Sequence, residues 1–161
     1  MARIYISIGS NTQRDYHIRC AVKALQQQFG ALQLSSVYES EAVGFVGAPF
    51  YNLVAAADTL LSVAQCISVF KQIEDDFGRD RSAAKFSGRT LDLDLLTYDD
   101  VICQQPVELP RAEITENAFV LWPLAELAPE AIHPLSGQSY AALWQQYPKQ
   151  QKLWPVPFNW E

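Results

Sequence analysis

Residues 89–96 read Arg89-Thr90-Leu91-Asp92-Leu93-Asp94-Leu95-Leu96, and this run restricts the fold more tightly than any other. Leu91, Leu93 and Leu95 alternate with two acids, which is the period of a strand that buries one face and leaves the other polar. A chain carrying such a strand needs a sheet with a covered side. Asp92 and Asp94 then project together from the opposite face, close enough to share hard cations.

The segment just upstream gives that pair a context. Residues 79–89 hold Arg79, Arg81, Lys85 and Arg89, four of the twelve basic residues, with Asp80 as the one acid. Paired carboxylates hold magnesium, and guanidinium groups hold phosphate oxygens. An Asp-x-Asp strand alone is ordinarily a solvated polar face over a leucine core. Four cations in a Gly/Ser-containing segment beside two anions serve no purpose in a purely structural sheet. The combination reads as a site for a magnesium-bound polyphosphate.

Periodicity supplies the remaining elements. Ile4, Ile6 and Ile8 alternate from Arg3 to Ser10, giving a first strand. Ile18, Ala21, Val22, Leu25 and Phe29 recur at helical spacing, and Gly30 ends that helix. Leu32 to Val43 reads as a second strand, Gly44 to Pro49 as a loop, and Phe50 to Thr59 as a third strand. Ser62-Val63-Ala64-Gln65 resembles a capping box; it opens a helix facing Val63, Ile67, Phe70, Ile73 and Phe77 inward and ending at Gly78. After the acid strand, Asp99-Asp100 turns the chain into a short return at Val101-Ile102. Thr115 caps a short helix that breaks near Pro123, and Ser139 to Tyr147 forms a last one. The tail, with Trp154, Pro155, Pro157 and Trp160, reads as a packed surface coil. Strand, helix, strand, strand, helix, strand is the order of a ferredoxin-like α+β sandwich, an antiparallel sheet with helices packed on one face.

Composition narrows the function classes. At 161 residues and 49% hydrophobic, the chain is expected to form a single domain over 1–161. A net charge of −6 argues against nucleic acid as a partner, so the phosphate site is local and suits a small anionic ligand. No stretch reaches the length of a membrane span, and the start lacks a signal region. Cys20, Cys66 and Cys103 are three and widely spaced, which fits free thiols in a reducing cytoplasm. His17 and His133 alone make zinc a poor fit and read as surface or packing residues.

The chain resembles the 6-hydroxymethyl-7,8-dihydropterin pyrophosphokinase family over nearly its full length. The resemblance runs in order through Tyr5-Ile6-Ser7-Ile8-Gly9-Ser10-Asn11, Phe50-Tyr51-Asn52, Gly78-Arg79 and Gly88-Arg89-Thr90-Leu91-Asp92-Leu93-Asp94, and closes with residues 119–129, FVLWPLAELAP. It implies transfer of pyrophosphate from ATP to the pterin alcohol, giving AMP and the pterin pyrophosphate in folate biosynthesis. ATP would be the co-substrate, the two small molecules the partners, and a cytoplasmic monomer the working form.

Carried over by position, the resemblance assigns Asp92 and Asp94 to two Mg2+ ions bridging the phosphates. Arg79 and Arg89 would bind phosphate, with Arg81 and Phe86 in a mobile segment closing over the nucleotide, which Glu74 would also contact. Phe50 and Phe119 would sandwich the pterin, while Ser40, Asn52 and backbone near Val43 would bond its edges. A flat heteroaromatic ring suits two aromatic faces and an amide that both donates and accepts. Residues 110–119 depart from the family pattern: Arg111 stands at an expected histidine, Ala112 at a common tyrosine and Asn117 at an expected arginine. Arg111 could turn a cation toward the same phosphates. That departure supports a second reading, a non-catalytic or weakly active pterin- and nucleotide-binding paralogue. A third, a two-metal nucleotidyltransferase, accounts less well for the aromatic pair and Asn52.

Overall fold

The alternation of Ile4, Ile6 and Ile8, each 0% exposed, makes β1 (Ala2–Ser10) an inner strand of a six-stranded antiparallel sheet. The computed structural model describes residues 1–40, 49–78, 91–149 and 151–160. After β1 come α1 (Arg14–Phe29), β2 (Gln33–Leu34), β3 (Val37–Ser40), β4 (Phe50–Thr59), α2 (Val63–Asp76) and β5 (Asp92–Tyr98). α3 (Glu113–Glu116), α4 (Ala118–Leu127), α5 (Tyr140–Gln146) and β6 (Leu153–Val156) complete the chain. The sheet order is β5-β1-β4-β3-β6, with β2 also pairing to β4. This is the ferredoxin-like arrangement, in which β4 separates the first strand from the one that follows α1.

Helices cover both faces of the sheet, where one covered face was expected. On one side, Ile4, Ile6, Ile8, Leu53, Leu93 and Leu95 pack against α1 and α2. On the other, Val54 and Leu96 pack with Ile114 of α3, Tyr140 of α5 and Val120, Leu121, Leu124 and Ala125 of α4. Alternation carries Leu96 to the second cluster on the face of Asp92 and Asp94. A β-bulge follows: Tyr5 pairs with Thr97 and Ile6 with Leu95, so Leu96 is the extra residue and Thr97 joins it on that face.

Several local expectations need correction. The Leu32–Val43 strand is interrupted because Ser35 replaces ladder bonds with its own side chain: its hydroxyl accepts from Val54 N–H at 2.9 Å and donates to Ser36 O at 2.8 Å. The part at 41–43 lies outside the described residues. In α2 the capping box forms as expected, with Gln65 N–H on Ser62 Oγ and Ser62 N–H on Gln65 Oε1. Its buried stripe is Cys66, Phe70, Ile73 and Glu74, with Ile67 only half-buried. Small Cys66 lets the helix lie close, and a hydrogen bond holds the Glu74 carboxylate inward. Pro123 lies inside α4 instead of breaking it. The lost N–H bond is outweighed by burial of residues 120, 121, 124 and 125 around it. Thr115 sits within α3 and caps nothing; Asn117 precedes α4. Residues 101–102 form no strand, and the return is a single Cys103–Leu109 bridge. The tail is β6 rather than coil, paired to β3 at the sheet edge, where Pro155 removes no interior ladder bond.

Candidate active site

The strand register gathers the polar residues into rows. Gly9 pairs with Asp92 on one side and Asn52 on the other, and Asn52 pairs with Tyr38. One row along, Ser7 pairs with Asp94 and Val54. Directly opposed residues share a sheet face, and Val54 marks this face as the one α4 covers. Asp92 and Asn52 are therefore two strands apart on one surface, about 10 Å at ordinary strand spacing.

Gly9 makes that surface usable. A Cβ there would lie 2.8 Å from Asn52 Oδ1, so any other residue would push the amide off the sheet. Asn52 is 5% exposed and donates through Nδ2 to Ser40 Oγ at 2.9 Å. Phe50 is half-buried, opposite Ser40 in the ladder and on the same face as Asn52. Phe119, in the first turn of α4, packs half-buried against the cluster on that face. Ser40, Phe50 and Asn52 are thus neighbours on one sheet face, and Phe119 packs against the cluster on that face. The helix itself is pinned by Glu126, whose carboxylate accepts from Ser36 N–H and Oγ–H (2.8 Å) and from Tyr38 Oη–H at 2.6 Å.

At the β5 edge the electrostatics are acidic. Among the described residues β5 has no outer neighbour in the sheet, and the Leu93 N–H donates to buried Glu74 Oε2 at 2.8 Å. Glu74 reaches the acid strand from α2, behind the face that carries Asp92 and Asp94, and steadies their backbone. Burial pushes the Asp94 carboxyl up to about 6; Arg111 opposes the rise, while Glu113, Asp92 and Glu74 add to it. The Asp94 side chain nevertheless keeps 36% exposure. Arg111 Nη2 lies 3.3 Å from Asp94 Oδ1, and its Nε lies 3.5 Å from Glu113 Oε1.

No group of three metal-ligating side chains exists among the described residues. Two carboxylates on one open face still suit magnesium, which keeps several waters and takes the rest of its oxygens from substrate phosphates. Asn117 faces another way: its Oδ1 accepts from Gln151 Nε2 at 3.3 Å, while Gln151 Oε1 accepts the Ala118 N–H at 2.6 Å. Val43, Arg79, Arg81, Phe86 and Arg89 lie outside the described residues. Sequence reasoning gave no role to Gly9, Glu126 or Gln151. A glycine inside an alternating strand was the available signal for the first; nothing local pointed to the other two.

A family model for 7,8-dihydro-6-hydroxymethylpterin-pyrophosphokinase matches residues 5–129. The chain belongs to this family. It is similar to the 2-amino-4-hydroxy-6-hydroxymethyldihydropteridine pyrophosphokinase of Aquifex aeolicus, with 33% identity over 138 residues, 84% of this chain and 86% of that protein. The Bacillus subtilis protein of the same name is 32% identical over 151 residues, covering 88% and 90%. Among solved structures, a Plasmodium falciparum HPPK-DHPS triple mutant with pteroate superposes with a TM-score of 0.74 at 13% identity. The superposition covers 90% of this chain and 43% of that one, and at such identity the likeness is one of fold. Family membership makes the pyrophosphokinase an ATP-dependent diphosphotransferase of folate biosynthesis. No helix among the described residues is long and apolar enough to cross a membrane.

Proposed function

We propose that this chain transfers the pyrophosphoryl group of ATP to 6-hydroxymethyl-7,8-dihydropterin from the sheet face carrying Asp92, Asp94 and Asn52. The observation that supports this reading most is the Asp92–Gly9–Asn52 row, in which an acid of the pair and the amide share one sheet face across a glycine. Asn52 and Ser40, joined by the 2.9 Å bond, present amide and hydroxyl groups to the pterin edge, with backbone near Val43 completing it. Phe50 and Phe119 take its two faces. The hydroxymethyl oxygen attacks the β-phosphorus, the bond from that phosphorus to the α–β bridging oxygen breaks, and AMP leaves.

Asp92 and Asp94 would hold magnesium, two ions in this reading, which neutralises charge on the phosphate oxygens. Arg79 and Arg89 bind phosphate, Arg81 and Phe86 belong to the segment that covers the nucleotide, and Arg111 completes the nucleotide side, while Glu74 acts on it through the Leu93 N–H that it holds behind the acid pair. Positioning and water exclusion supply most of the acceleration, because no side chain among the described residues of that face is an evident general base. The working form is a single domain over 1–161, monomeric and cytoplasmic.

Incubation with Mg-ATP and the pterin alcohol should yield AMP and the pterin pyrophosphate. ADP would mean ordinary phosphoryl transfer. The weakly active paralogue is favoured by two specific observations, the Arg111–Asp94 pair and the Asn117–Gln151 pair, and no nucleotide product at all would favour it.

A further inference from the structure

Arg111 is the one guanidinium among the described residues that touches the acid pair, and its place is fixed by more than its side chain. Its backbone N–H donates to Leu96 O at 2.9 Å, which ties residue 111 to the bulged part of β5. From there the side chain spans Asp94 and Glu113, at 3.3 and 3.5 Å, with 25% exposure. An arginine held this way satisfies Asp94 with a positive charge in the unloaded protein.

We infer that Arg111 is a selectivity-determining residue that keeps a free divalent cation off Asp94 and yields that carboxylate only when the cation arrives with a polyphosphate. This rests on the reading of Asp92 and Asp94 as magnesium-holding residues and extends it. A bare cation must displace the guanidinium and leave it facing Glu113 alone. A cation that brings phosphate supplies Arg111 with a new anionic partner, so the exchange conserves ion pairs. The consequence is an order of binding, with metal and nucleotide entering together.

The probe is Mn2+ alone, followed by calorimetry or by its magnetic resonance signal, on the full chain. Arg111→Gln should bind free Mn2+ about two- to fivefold more tightly than the parent protein, the range expected when a partly exposed ion pair is removed. Arg111→Lys should restore weak binding. In an Asp94→Asn background the same Arg111→Gln change should give no tightening. Unchanged or weaker Mn2+ binding by Arg111→Gln would overturn the inference. So would tightening that persists without the Asp94 carboxylate, since that reports only a lost positive charge.

A parallel titration with Mn2+ and a non-hydrolysable ATP analogue separates the two levels. If that binding needs Asp92 and Asp94 while Arg111→Gln leaves free Mn2+ unaffected, the Arg111 inference alone falls. If it ignores both acids, the metal reading of the pair falls and takes the inference with it.

Discussion

Asp94 sits under three influences, and their balance is measurable. Burial and the neighbouring acids raise its carboxyl from 3.8 to about 6, while Arg111 pulls it down. Because the folded value lies above the unfolded one, Asp94 favours the folded state at pH below about 4, and that contribution disappears as pH rises through 6. Urea midpoints of the parent protein minus those of Asp94→Asn should therefore decline between pH 4 and pH 7 in the absence of metal. A flat difference would place the carboxyl in ordinary solvent. Metal binding requires the ionised form, so Mn2+ with nucleotide should bind more tightly as pH climbs through the same window. Asp92→Ala and Asp94→Ala should each abolish AMP formation with circular dichroism unchanged, since both side chains stand on the half-exposed face and leave no core cavity. Phe50→Ala tests the other end of the row. Loss of one stacking face is worth about 1–3 kcal/mol, so pterin affinity should fall roughly tenfold to a hundredfold with ATP affinity nearly unchanged. Equal losses for both ligands in calorimetry would make Phe50 a packing residue.

Among the elements, α4 carries the plainest structural consequence. Glu126 at its far end joins the helix to Ser36 and Tyr38. Tyr38 is 2% exposed, so Glu126→Ala would strand a buried hydroxyl as well as free the helix. The expected loss is about 2–4 kcal/mol, read from denaturant unfolding, with Glu126→Gln intermediate because its amide oxygen still accepts a hydrogen bond. A loss within experimental error would mean that water replaces the carboxylate. This clamp also shows where sequence reading stops. β1, β4, the end of α1 at Gly30 and the α2 capping box were legible because each follows from a local period or a local cap. The Asp92/Asp94 face was legible for the same reason. Ser35, the α4 helix running through Pro123, and the second packed face of the sheet were not. Their conformations are decided by partners 19 to 90 residues away, such as Val54 and Glu126. Val120, Leu121 and Leu124 carry helical spacing, but no local pattern says that the layer they join is a second one.

For the molecule as a whole, the tail braces the two elements, β3 and α4, that carry the proposed pterin residues Ser40 and Phe119. β6 pairs with β3 from Val37↔Val156 to Ser40↔Leu153, so it covers the edge of the strand that ends in Ser40. Gln151, just before it, caps Ala118 and holds Asn117 at the start of the helix that carries Phe119. Beyond it, Phe158 packs edge-on against Tyr51 at 5.9 Å, and Asn159 O accepts from Arg19. Removing residues 150–161 takes away a short ladder, a helix cap and an aromatic pair at once. From a cap worth about 1 kcal/mol, an aromatic pair of about 0.5–1.5 kcal/mol and a net gain of similar size from the ladder, the loss should be about 2–4 kcal/mol. The uncovered β3 edge would also favour self-association. Function should suffer unevenly. Arg111 pairs with Asp94 and with Glu113, whereas Ser40 and Phe119 sit on the two elements the tail braces. The shortened chain should therefore keep Mn2+–nucleotide binding within about twofold, a change smaller than 0.5 kcal/mol, while pterin affinity drops roughly tenfold. If calorimetry on the folded, monomeric fraction shows both ligands weakened alike, the tail supports the sheet in general. If pterin binding is untouched, β3 and α4 hold the pocket without it.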